Sequence, residues 1–137
     1  SSKNITRLQR IANNIVELDM SGVPIGEEEM ALVFQCQNLE WLEVDRTPIT
    51  DLEFDKIKAL SKLRVIKAYE TAITDKSVAI LKDFNNLQSL YIWETQITEG
   101  GLSELKEALP NVQIVRGIDP ELKDAFIKQD TILDSLQ

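Results

Sequence analysis

Apolar positions along this chain recur with a period of 24 residues. Leu39, Leu63 and Leu87 head three successive units, and Ile49, Ile73 and Ile97 recur at a second matched position. The units are NLEWLEVDRTPITDLEFDKIKAL (38–60), KLRVIKAYETAITDKSVAILKDF (62–84) and NLQSLYIWETQITEGGLSELKEAL (86–109). A less regular unit, NIVELDMSGVPIGEEEMALVFQC (14–36), precedes them. A stub, NVQIVRGID (111–119), follows after one inserted residue near Pro110. The first half of each unit alternates with period two, which predicts a strand. Leu42 and Val44, Ile66 and Ala68, and Leu90 and Ile92 are its inward residues. The second half carries an apolar residue at about every third position, which predicts a helix. Phe54, Ile57 and Leu60 recur as Val78, Leu81 and Phe84, and as Leu102, Leu105 and Leu109. Met30, Val33 and Cys36 occupy the same places in the first unit, so register assigns Cys36 to the core. No unit can bury its own apolar face, whereas a stack of them can.

The polar positions repeat too. Thr50-Asp51, Thr74-Asp75 and Thr98-Glu99 stand just before the helices. There the side-chain oxygens can accept free N–H groups of the first turn, and the acid suits the helix dipole. Thr50 with Glu53 fits a capping box. Thr47, Thr71 and Thr95 occupy a position where a buried donor can satisfy carbonyls as the chain leaves the strand; the first unit has Val23 there. Ile5, Leu8, Ile11, Ala12 and Ile15 sit at helical spacing and predict a helical cap over the first repeat. Asp119-Pro120 is an N-cap followed by a first-turn proline, with Leu122, Ala125 and Phe126 expected against the last repeat. The chain is thus expected to be a single domain over 1–137. It comprises an N-terminal cap at 1–13, about four repeats and a partial fifth at 14–118, and a C-terminal cap or tail at 119–137. For the last residues, DTILDSLQ, helix, extended tail and linker all remain open.

Composition narrows the chemistry. The 137 residues carry 23 acidic and 15 basic side chains, net −8, which argues against a nucleic-acid backbone or an anionic membrane as the main partner; no nucleic acid and no direct membrane insertion are expected. No apolar run approaches the length of a membrane span. The start, SSKN, without Met, leads us to expect a piece of a longer precursor. One cysteine and no histidine exclude an intramolecular disulfide, a Cys/His zinc site, Ser-His-Asp or Cys-His catalysis and a c-type haem attached to this segment. No cofactor is expected.

The pattern L-x-x-L-x-L-x-x-T-x-I-T-[DE] resembles that of leucine-rich repeat proteins over roughly 14–118. Its T-x-I-T-D form resembles bacterial repeats that follow membrane or c-type cytochrome domains in cell-envelope proteins, with LQRIANNIVELDMSG and LQSLYIWETQITEGGLSELKEALPNVQI as the nearest echoes. The resemblance implies an α/β solenoid, a short right-handed horseshoe with a parallel sheet on its concave face and helices on its convex face. It also implies a periplasmic or envelope location, with any electron-carrying cofactor elsewhere in the polypeptide, and it supplies no catalytic residues. A more distant likeness is to the cysteine-containing repeats of eukaryotic substrate adaptors.

In such a sheet the outward columns are Glu17, Trp41, Val65, Ser89 and Ile114; Asp19, Glu43, Lys67, Tyr91 and Arg116; and Ser21, Asp45, Tyr69 and Trp93. Both tryptophans and both tyrosines of the chain fall in these columns. They read either as same-face packing, with Trp93 on Tyr69 and Lys67 over Tyr91, or as a ligand surface, since such rings dominate binding hot spots. The columns run from acid at the first strands to base toward the last. The candidate binding residues are Trp41, Glu43, Lys67, Tyr69, Tyr91, Trp93 and Arg116. The expected function is a non-catalytic module that docks another protein or another domain of its own precursor. The alternative is a carbohydrate-binding module of the envelope, with a glycan stacked on the rings. Glu17, Asp19 and Glu43 offer oxygens for a hard cation, but their spacing matches no calcium loop. Glu43 and Asp45 are adjacent carboxylates on a flat face with no cleft, so no enzyme is expected.

Overall fold

The computed structural model describes residues 10–117. Ile5, Leu8, the C-terminal cap with Asp119, Pro120, Leu122, Ala125 and Phe126, and the tail lie outside the described residues. Five three-residue strands, β1 (Glu17–Asp19), β2 (Trp41–Glu43), β3 (Val65–Lys67), β4 (Ser89–Tyr91) and β5 (Gln113–Val115), form one sheet in sequence order. All neighbouring pairs are parallel. Leu18, Leu42, Ile66, Leu90 and Ile114 stand in register, so the sheet repeats every 24 residues along its whole width. Between the strands the chain crosses the other side of the sheet as α1 (Glu27–Gln35), α2 (Asp51–Phe54) with a 3₁₀ helix (Asp55–Ala59), a 3₁₀ turn (Asp75–Ser77) running into α3 (Val78–Leu81), and α4 (Glu99–Ala108).

The two middle crossings are largely 3₁₀ or single-turn helix rather than continuous α-helix. Phe54, Ile57 and Leu60, like Val78, Leu81 and Phe84, recur at intervals of three, which a 3₁₀ helix accommodates, although Met30, Val33 and Cys36 keep the same interval along the nine-residue α1. The last crossing shifts to Leu102, Leu105 and Leu109, and there a ten-residue α-helix forms. The repeated apolar positions meet in one core between sheet and crossings, with Leu39, Leu42, Val44, Ile49, Phe54, Leu63, Ile66, Ile73, Leu81 and Leu90 all withdrawn from water. Truncating one of these leucines to Ala should cost about 2–5 kcal/mol. Cys36 belongs to this core as a free thiol; its Sγ–H points to the Leu32 carbonyl, and burial pushes its pKa up.

Each strand leaves the sheet through the same turn. Gly22, Arg46, Glu70 and Glu94 hold left-handed backbone, φ 73°, 56°, 53° and 52°. Gly22 does so at no steric cost, and the other three do so against the preference of L-residues. In the three regular repeats the next residue secures the turn. Thr47, Thr71 and Thr95 donate Oγ1–H to the carbonyls of Val44 (2.6 Å), Ala68 (2.7 Å) and Ile92 (3.0 Å).

The helix caps fit the expectation and add a link between repeats. Thr50, Thr74 and Thr98 accept from the N–H groups of Leu52, Lys76 and Gly101. Glu53 closes the Thr50 capping box by accepting from the Thr50 N–H at 2.7 Å. Asp51 and Asp75, however, do more than face their own helix dipoles. Asp51 accepts from the N–H and Oγ1–H of Thr74 and from Ser77 Oγ–H, one repeat on. Asp75 accepts from the N–H and Oγ1–H of Thr98 in the same way.

Two expectations need correction. Ile11 does not face the first repeat: it is 58% exposed, while Ala12 in the same helical turn is buried and Ile15 packs on the core. The inserted residue near Pro110 does not carry into the last strand. Val112 N–H donates to the Leu109 carbonyl as Leu87 N–H does to Phe84, a step of 25 residues, but one residue is then dropped before the strand. Tyr91 therefore pairs with Val115 and Leu90 with Ile114. Ile114 points into the core rather than outward, and Arg116 leaves the central column.

Candidate functional site

The outward sheet face consists of Glu17, Trp41, Val65, Ser89 and Gln113 in one column and Asp19, Glu43, Lys67, Tyr91 and Val115 in the next. One position on, Ser21, Asp45, Tyr69 and Trp93 continue the alternation, with Gly22, Arg46 and Glu70 N–H groups donating to the carbonyls of Asp45, Tyr69 and Trp93. Parallel strands set ~4.8 Å apart bring each side chain against its counterpart one repeat away.

Lys67 sits at the centre. Its ammonium lies 5.4 Å from the ring centroids of both Trp41 and Tyr91, within cation–π range of each, and 3.4 Å from Glu43 Oε1. Trp41 Nε1–H donates to the same Glu43 oxygen at 2.9 Å. Four residues from three strands are thus tied into one polar-aromatic array, all of them partly open to water. Ser21 N–H and Oγ–H both donate to Asp19 Oδ1, at 2.9 and 2.6 Å. Partial burial opposes ionisation of Asp19, but these hydrogen bonds prevail and hold its carboxyl below its ordinary value. Glu43 moves the other way. Burial raises its pKa, the Trp41 donor and Lys67 offset only part of that, and the neighbouring Asp19 charge adds to the rise.

Tyr69 and Trp93 are on this face but are not open to solvent. Their rings stack at 3.9 Å between centroids and 11° between planes, leaving Tyr69 8% and Trp93 5% exposed. Tyr91 meets the edge of Trp93 at 6.0 Å. Burial and the neighbouring Asp45 carboxylate push the Tyr69 phenol well above its ordinary value. With each ring covering the other, the pair offers no open platform for a sugar. Asp45 itself is buried; Arg46 Nε–H donates to its Oδ2 at 3.2 Å, while Asp45 Oδ1 and Trp93 Nε1 have no hydrogen-bond partner.

Arg116 stands apart from the array. It pairs with Glu99, in the first turn of α4. Glu99 occupies the place held by Asp51 and Asp75 in the preceding repeats, so Arg116 answers the last carboxylate of that series. The expected basic end of the face is therefore missing: Arg116 is turned to Glu99, and Arg64 is paired with Glu40 at 2.8 Å.

Elsewhere, a groove of about 610 Å³ runs between α1 and the crossing that follows β2, lined by Met30, Ala31, Phe34, Leu52 and Ala59 among others. Leu52 is exposed there at the second position of its helix, outside the three-residue core series, so the repeat pattern gave no reason to single it out. Among the described residues no group of three Asp, Glu, Cys or His side chains is placed to hold a metal ion, Glu17, Asp19 and Glu43 included. No helix among them is long and apolar enough to cross a membrane.

Comparison with solved structures decides the fold. The chain is similar to an internalin from Listeria monocytogenes, 26% identical with a TM-score of 0.58, over 72% of this chain and 28% of that one. The fold is a leucine-rich repeat solenoid. Internalin C2 from the same organism is 22% identical with a TM-score of 0.55, over 82% of this chain and 46% of that one. The tropomodulin C-terminal domain of Caenorhabditis elegans is 13% identical with a TM-score of 0.65, over 98% and 97% of the two chains. The chain thus spans less than half the length of either internalin. No protein family and no curated protein matches it.

Proposed function

We propose that this leucine-rich repeat chain is a non-catalytic protein-binding module. It docks another protein, or another domain of its own precursor, through the outward sheet face. The observation that carries this reading is the Trp41–Glu43–Lys67–Tyr91 array. Two amphipathic rings and two opposite charges are held in one geometry before any partner arrives, yet stay partly open to water. Rings of this kind bury large area on contact and tolerate water when free. Their mutual contacts lower the cost of ordering side chains on binding. The docking surface is smaller than the full set of outward columns. Trp41, Glu43, Lys67 and Tyr91 form its contact area, Tyr69 and Trp93 pack beside it, and Arg116 lies outside it. Similarity to the T-x-I-T-D repeats of envelope proteins supports, within this proposal, a setting in a larger bacterial protein facing the periplasm or envelope.

The test uses a photo-cross-linking residue at Tyr91 and, separately, at Ala79 on the helical side, in the full-length protein in its host. Protein adducts are expected at position 91 and should diminish when Trp41→Ala is added. Adducts only at position 79, or equal adducts at both sites, would rule out docking by the sheet face.

A further inference from the structure

The charge on this face is unbalanced, and the imbalance is local. The register sets Glu17 beside Trp41 and Asp19 beside Glu43, so three carboxylates of β1 and β2 share this end of the face. Lys67 is the cation placed against them, and it already engages Glu43 and two rings. Further along the face, Asp45 is 1% exposed and keeps Oδ1 without a donor, and Trp93 Nε1–H keeps no acceptor. Buried polar atoms in that condition are costly, and each specifies its missing counterpart. Asp45 Oδ1 needs a donor, and the indole needs an acceptor such as a peptide carbonyl.

We infer that the occupant of the sheet face is a basic polypeptide segment that lays an arginine beside Trp41, between the Glu17, Asp19 and Glu43 carboxylates. This rests on the docking reading above and names its partner's chemistry. Arginine suits the place better than lysine because its guanidinium can pair with carboxylates through parallel N–H groups while its flat face lies on an indole. The segment's main chain supplies the acceptor for Trp93 and donors toward Asp45. Both of those atoms lie under the accessible surface, so their engagement accompanies a shift of the Tyr69–Trp93 pair.

The test measures fluorescence anisotropy of three labelled peptides on the full chain at low ionic strength. The peptides share a Gly/Ser backbone and carry arginine, lysine or glutamate at the same spaced positions. The arginine peptide should bind tightest. Asp19→Asn with Glu43→Gln should weaken it about tenfold or more, as loss of complementary interfacial charge does. Glu17→Gln, at an exposed strand end, provides a second variant with little risk to folding. Glu28→Gln with Glu107→Gln, on the helical side, should change nothing. Equal binding of the arginine and lysine peptides, or equal loss in the Glu28/Glu107 variant, would reduce the effect to general attraction by an acidic chain and overturn the inference. Preference for the glutamate peptide, or no binding at all, would also overturn it. Cross-linking at position 91 judges the docking reading separately, because it makes no demand on the partner's charge.

Discussion

Replacing a helical glycine with alanine ordinarily stabilises a helix by about 1 kcal/mol. In this protein Gly101→Ala should do the reverse. Gly101 lies in the first turn of α4, two positions beyond Glu99, in the place held by Ser77 one repeat earlier. A methyl group there would overlap Asp75 Oδ1 and stand 2.9 Å from Asp75 Cγ and 3.1 Å from Ile97 Cγ2. The carboxylate would have to withdraw, releasing the Thr98 N–H (2.8 Å) and Thr98 Oγ1–H (2.6 Å). Hydrogen bonds to a charged group are worth about 1.5–3 kcal/mol each, and solvent at this exposed site cuts that to about 1. Two such losses outweigh the propensity gain and leave the variant about 1 kcal/mol less stable, a fall of roughly 3–5 °C for a domain of this size. In an Asp75→Ala background the obstruction is gone, and Gly101→Ala should recover about its intrinsic 1 kcal/mol, less the cost of easing Ile97. Urea melts of the four proteins give the cycle, with a coupling of about 2 kcal/mol. Stabilisation of the wild-type background by Gly101→Ala would refute the reasoning.

Tyr91 and Trp93 should behave unlike each other: Trp93→Ala should lower stability by about 3–5 kcal/mol in denaturant melts, whereas Tyr91→Ala, from a partly exposed position, should cost well under half of that. Equal small effects would mean that the Tyr69–Trp93 stack contributes little to the fold. Burial raises the Asp51 pKa, but hydrogen bonds from Ser77 and Thr74 prevail and hold the carboxyl below its ordinary 3.8. Its contribution is therefore present above the unfolded value and lost as pH falls through the lower folded one. Acid titration of stability should show a shallower loss below about pH 4 in Asp51→Asn than in the parent; parallel acid limbs would count against this role.

The repeat made the strands, their register and the core legible before any coordinates, because a 24-residue period constrains every position three or four times over. Leu42, Ile66 and Leu90 had no other consistent place. The same regularity concealed what depends on a single repeat. Alternation put Tyr69 and Trp93 on the outward face and allowed Trp93 to pack on Tyr69, but it could not choose between that stack, which the structure shows, and a pair of rings left open to a ligand. The extra residue at Leu109–Pro110 was visible. Its return before Ile114 was not, because Val115 and Arg116 are both plausible sheet residues and only the hydrogen-bond register separates them. That one-residue difference took Arg116 from the central column and removed the basic end of the face.

The carboxylates of Asp51 and Asp75 give the solenoid a direction. Each one restrains the turn of the following repeat, and no described hydrogen bond of this kind runs back. The third repeat therefore leans on the second, and the fourth on the third, beyond the symmetric apolar contact that stacked units share. Each such bond is nevertheless lost to both neighbours whichever repeat opens: losing the second leaves Thr74 and Ser77 without their acceptor, and losing the fourth leaves Asp75 without its two donors. The carboxylates thus act as polar rivets along the edge of the stack, and mechanical or thermal loss of structure should take adjacent repeats together rather than one at a time.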